Sequence, residues 1–139
     1  MMSAIMDTDP RPPYPRIDDG SLAALIVEFY AAARLDPLLG PVFQAMVGED
    51  DAHWAAHLRR VHDFWSSVTM GTGRYGGRPM QVHAGIPGLA PAHFERWLDL
   101  FTQTADRLFI PPAAAFLRDK AERMAQALQQ GIAMARAAG

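Results

Sequence analysis

The chain holds one histidine in a setting suited to ligation. His83 lies in the turn-rich stretch from Tyr75 to Pro87, between two long amphipathic segments, in a protein with no cysteine. A neutral imidazole held by a short segment can bind a metal through one nitrogen while the other donates to a backbone carbonyl. The same residue could equally pack a loop. Three further polar rings fall on apolar stripes: Tyr30 four residues after Ile26, His57 between Trp54 and Val61, and Trp97 between Phe94 and Phe101. Helical spacing turns all three inward. A buried phenol, imidazole or indole needs a partner, because an unpaired polar group there costs about 1–3 kcal/mol. They can pair with each other, with a backbone carbonyl or with a ligand.

Other chemistries find little support. His53 and His57 are spaced as a zinc pair on one helix face, but a third ligand and the glutamate of the metalloprotease signature are missing. Ser66 and Ser67 fall in mid-helix rather than in a nucleophile turn, and no glycine loop ending in Lys-Ser/Thr cradles phosphate. Zero cysteines exclude disulfides, thiolate nucleophiles and thiolate-held metals. The formal net charge of -2 advertises neither a nucleic-acid nor an anionic-membrane partner. No basic-then-apolar leader and no membrane-length apolar run occurs, so a cytoplasmic location is expected by default.

The elements that must position these residues are helical. At 139 residues one domain suffices. Residues 1–20 contain Pro10, Pro12, Pro13 and Pro15 and are expected to form a flexible leader, with the folded domain spanning 21–139. Ser21 is the expected N-cap of a helix carrying Leu22, Leu25, Ile26, Phe29, Tyr30 and Ala33 and ending near Leu35. Asp36-Pro37 opens a short helical piece through Phe43 to Met46. A second long stripe follows Asp50 and Asp51 and ends at Gly71. Residues 71–91 hold six Gly and three Pro, so His83 can occupy at most a turn or two of helix. A third stripe starts near Pro91, and Pro111-Pro112 begins the last. The result is an all-α domain with four main helices.

Taken in order, Phe29-Tyr30, the segment from Asp36 to Phe43, Trp54 with His57, Phe64-Trp65, the Tyr75-to-Pro79 frame, His83 and the run from His93 to Leu98 resemble the group III truncated haemoglobins. The resemblance covers about residues 21 to 135. It implies a shortened globin fold, a two-over-two helical sandwich around haem b. It further implies that His83 is the proximal iron ligand, that Tyr30 and Trp97 form the distal polar pair, and that His57 occupies the position that gates access. By the same correspondence, Phe29, Phe43, Val61, Phe64 and Trp65 would contact the macrocycle. Arg60 and Arg78 are the candidates for its propionates. Gly76-Gly77 sits inside the Tyr75-to-Pro79 frame of this group, and Val82 stands where a basic residue near the propionates would not have been surprising.

The function so implied is binding of oxygen, nitric oxide, carbon monoxide and other small ligands such as peroxide or cyanide at a histidine-ligated iron. Two inward donors would slow oxygen release, which favours redox or detoxification chemistry, as in a nitric oxide dioxygenase or peroxidase, over transport. Such turnover would need an electron-donor reductase that the chain does not encode. The alternative is a haem-free helical protein-interaction module, for which eight Met and an apolar last helix provide adaptable surface.

Overall fold

The computed structural model describes residues 11–138, with the side chains of Met80 and Gln81 outside the description. Six helices occur among these residues: α1 (Asp19–Leu35), α2 (Gly40–Met46), α3 (Asp51–Met70), α4 (Pro79–Ala84), α5 (Pro91–Leu108) and α6 (Pro111–Ala138). The four long ones follow the four apolar stripes. Helix α1 packs on α3 and α5 on α6, and the pairs meet through α1 on α5 and α3 on α6. This is the expected all-α two-over-two sandwich.

Local chemistry sets the boundaries. Asp18, rather than Ser21, caps α1: its carboxylate accepts from the Ser21 N–H at 2.8 Å while the Ser21 hydroxyl accepts from the Asp18 N–H at 2.9 Å. The reciprocal pair satisfies two amides that the helix cannot. Helix α3 starts under the Asp50 carboxylate, which accepts from Ala52 and His53, and stops at Gly71, whose φ of 67° suits a residue without a side chain. Pro91 and Pro111 open α5 and α6, where a missing N–H removes no helical bond.

Residues 1–10 of the expected leader lie outside the described residues. Residues 11–18 are held by the domain. Tyr14 donates its N–H to the Leu108 carbonyl at 2.7 Å and accepts from Ile110 at 3.1 Å, and its ring lies 5.6 Å from that of Phe109. The segment thus pairs with the α5–α6 corner through Tyr14, a tertiary contact that local sequence does not announce.

Asp36 ties the α1–α2 corner to α5. Its buried carboxylate accepts from Leu38 and Leu39 at 3.0 Å each and from Arg96 Nε at 2.6 Å. Burial alone would raise its pKa, but the Leu39 and Leu38 amides and the Arg96 guanidinium outweigh that and hold it below the ordinary carboxylate value. A depressed native pKa stabilises the fold above the unfolded-state pKa and is lost as pH falls through the native one. Asp36→Ala should cost about 2–4 kcal/mol in urea unfolding at pH 7, since it strands two amides and a guanidinium. The gap to wild type should narrow below about pH 4.

Candidate functional site: a cavity with a tethered histidine

The core is divided. One cluster joins Leu25, Ile26, Phe29, Tyr30, Trp65 and Phe101, and a second joins Leu89, Phe94, Ala125, Leu128 and Ile132. Leu98 and Met124 pack against both. Side chains of the two clusters line a mostly apolar cavity of about 480 Å3, within the roughly 300–1,000 Å3 of pockets that enclose whole ligands.

His83 lines this cavity from α4. Its Nδ1–H donates to the Pro79 carbonyl at 2.7 Å. The bond fixes the tautomer and leaves a lone pair on Nε2, the atom that could hold a metal. A six-residue helix cannot hold itself in place. On its N-terminal side the Tyr75 N–H donates to Ser67 Oγ at 3.0 Å, the Tyr75 ring packs edge-on to Phe64 at 5.3 Å, and Arg74 pairs with Asp19 at 2.7 Å.

Tyr30 and His57 face each other from α1 and α3, with perpendicular rings 5.1 Å apart. The structure therefore puts His57 inside: it lines the cavity, and its Nε2 is buried without a hydrogen-bond partner. Burial and, secondarily, the Arg60 charge push its pKa down to about 4, so the ring is neutral at physiological pH. Burial raises the Tyr30 pKa well above that of a free phenol, which keeps its hydroxyl a donor.

Trp97 also lines the cavity and stacks on Phe101 at 5.1 Å. Among the described residues neither the Tyr30 hydroxyl nor the Trp97 indole N–H has a protein partner. The contrast with Trp54 is informative. Its indole donates to the Gly48 carbonyl at 2.7 Å, and it does not line the cavity. Trp54, which faces away from the cavity, is satisfied, whereas the Tyr30 hydroxyl, the Trp97 indole and His57 Nε2, which face it, have no hydrogen-bond partner among the described residues.

The remaining expected contacts divide. Phe43, Val61, Phe64, Trp65 and Arg60 line the cavity. Phe29 does not: it sits behind the wall, with its ring 5.0 Å from Tyr30 and 5.6 Å from Trp97. Arg78 is exposed and outside the lining, whereas Arg74 and Tyr75 from the same loop are part of it. His93, read in the sequence only as part of a motif, lines the cavity while its Nδ1 accepts from the Ala90 N–H at 3.0 Å. A histidine three residues after an alanine carries no sequence signal for this cap.

No protein-family model matches the chain. A group 3 truncated haemoglobin of Campylobacter jejuni, ctb, is 30% identical over 113 residues, covering 81% of this chain and 89% of that protein. The chain belongs to the group III truncated haemoglobins. The crystal structure of a group III truncated haemoglobin from Campylobacter jejuni superposes with a TM-score of 0.82 at 28% identity, covering 86% of this chain and 94% of that one.

The residues present fit the prosthetic group that this truncated haemoglobin's family implies. Among the described residues no three His, Asp or Glu side chains converge as a metal cage. An imidazole with a fixed tautomer at a mostly apolar cavity, with no cage of further ligands around it, instead suits an iron already held by a macrocycle. No helix among the described residues is long and apolar enough to cross a membrane.

Proposed function

We propose that this truncated haemoglobin binds haem b through His83 and uses it for redox or detoxification chemistry on small ligands, among them oxygen, nitric oxide, carbon monoxide, peroxide and cyanide. The observation that carries the reading is one cavity shared by a tethered imidazole and by polar rings that have no hydrogen-bond partner among the described residues. When bound, haem supplies an iron that takes up diatomic ligands and exchanges single electrons.

The chain's own residues would do the rest. His83 offers Nε2 to the metal while Pro79 holds the ring. Phe43, Val61, Phe64 and Trp65 wall the cavity and keep water from the reacting atoms. Arg60, which lines the cavity and is exposed, is the propionate partner; Arg78 is exposed between the lining residues Gly77 and Pro79 and is the second candidate.

Tyr30 and Trp97 are the donors for negative charge on a small ligand, and in a dry site each contributes about 1–3 kcal/mol. Neutral His57 can donate or accept one bond beside Tyr30 without adding charge. Donors of this strength retain an anionic ligand, which suits chemistry better than release on demand. Turnover would draw electrons from a separate reductase. Titrating the purified chain with hemin should give a Soret band that saturates at one haem per chain. A folded, colourless protein that shows no band at equimolar hemin would favour a haem-free helical module instead.

A further inference from the structure

The last turn of α6 reaches the loop that follows His83. Arg136 Nη1 donates to the Leu89 carbonyl at 2.9 Å. This contact joins residues 47 apart in the chain and ties Arg136, which does not line the cavity, to Leu89, which does.

Its position gives it leverage. Residues 85–90 connect α4 to α5 and contain Gly85, Pro87 and Gly88, the last at a φ of 74°. The loop has little backbone bonding of its own: Ile86 donates to the His83 carbonyl, and Pro87 has no N–H to donate. Its anchors come from elsewhere. Leu89 is buried with Leu128 and Ile132 of α6, Ala90 donates to His93, and Arg136 holds the Leu89 carbonyl. Leu128, Ile132 and Arg136 follow one another at four-residue spacing, so one stripe of α6 grips both the side chain and the backbone of Leu89. Because α4 spans only six residues, the direction of His83 is set by what holds it from outside: its packing on α6 and the anchors at its two ends.

We infer that Arg136 is a positioning residue for His83, acting through the Leu89 carbonyl to fix the proximal loop and so the strength with which the imidazole holds haem. The inference rests on the reading of His83 as the iron ligand. Arg136→Ala leaves the helix itself intact, since alanine is the best helix former. It frees the carbonyl and lets residues 85–90 shift.

The test uses the full chain loaded with haem. Two quantities are measured: the rate of haem transfer to excess apomyoglobin, and the iron–histidine stretching band of the ferrous protein by resonance Raman. Arg136→Ala should raise the transfer rate about three- to tenfold, as expected for loss of one charged hydrogen bond at a half-open site, and should shift or broaden the band. Arg136→Lys, which keeps a donor and a charge, should recover part of both effects. Arg123→Ala removes a surface ion pair with Asp119 on the same helix and should change neither.

Transfer at the wild-type rate in Arg136→Ala would overturn the inference. So would faster transfer with an unmoved band and a lowered melting temperature of the apoprotein, which marks general loosening. A wild-type chain that takes up no haem, or a His83→Gly chain that holds it as firmly, overturns the ligand assignment and the inference with it; this result is distinct because it appears before Arg136 is altered.

Discussion

Replacing His83 by glycine should remove the protein's grip on the iron. Because this imidazole is the one proposed bond between chain and metal, haem retention should fall by at least about a hundredfold, beyond the roughly 10–100-fold typical of losing an outer-shell partner. The apolar cavity would still offer haem a partition site, so weak binding would remain, with the Soret maximum displaced. Free imidazole should restore the wild-type spectrum, since glycine leaves space for the missing ring. The variant should fold: His83 is half-buried, and among the described residues its ring makes no hydrogen bond beyond the Pro79 carbonyl. Far-ultraviolet circular dichroism of the apoprotein checks that point. Full haem affinity without imidazole would refute the ligand assignment.

Tyr30→Phe should speed oxygen dissociation from the reduced haem protein by about 10- to 100-fold, the effect of losing one donor to an anionic acceptor in a dry site. Association should change little, because phenylalanine fills nearly the same volume. The ring remains among Phe29, Phe43, Trp54 and His57, all with centroids within 5.9 Å of Tyr30's. Stability should be almost unaffected or slightly raised, since among the described residues the Tyr30 hydroxyl has no hydrogen-bond partner to lose. That pairing of a large kinetic effect with a small thermodynamic one separates a ligand-facing hydroxyl from a structural one. Stopped-flow displacement of oxygen by carbon monoxide measures it directly, and an unchanged rate would take Tyr30 out of the ligand network.

The helices were legible because their apolar stripes run for four or more turns and their ends carry proline, glycine or aspartate. Ser21 marked the start of α1 to within two residues; it acts three positions inside the cap, and Asp18 is the cap itself. Asp and Ser are both good N-cap residues, so residue type alone does not say which of the two starts the helix. Residues 11–18 were unreadable for a different reason. Tyr14 is anchored to Leu108 and Ile110, and no local pattern encodes a bond across so much chain.

The site followed the same division. Inward placement of Tyr30, His57 and Trp97 comes directly from helical period. Whether an inward residue lines a cavity or stands behind it depends on what its neighbours leave unfilled, which is why Phe29, next to Tyr30, falls in the second layer. The arginines of the loop differ by reach. Arg74 pairs with Asp19 and lines the cavity, while Arg78 is exposed. Arg136 could not be connected to His83 from sequence, because its target is a backbone carbonyl and any residue supplies one.

The account turns on what His83 Nε2 binds. A crystal structure of the haem-loaded protein decides it: the account predicts Nε2 within bonding distance of the iron, with Nδ1 still on the Pro79 carbonyl and the Tyr30 hydroxyl on the opposite face of the macrocycle. Haem held by His57 or His93 instead, or seated outside the cavity with His83 unligated, would contradict it.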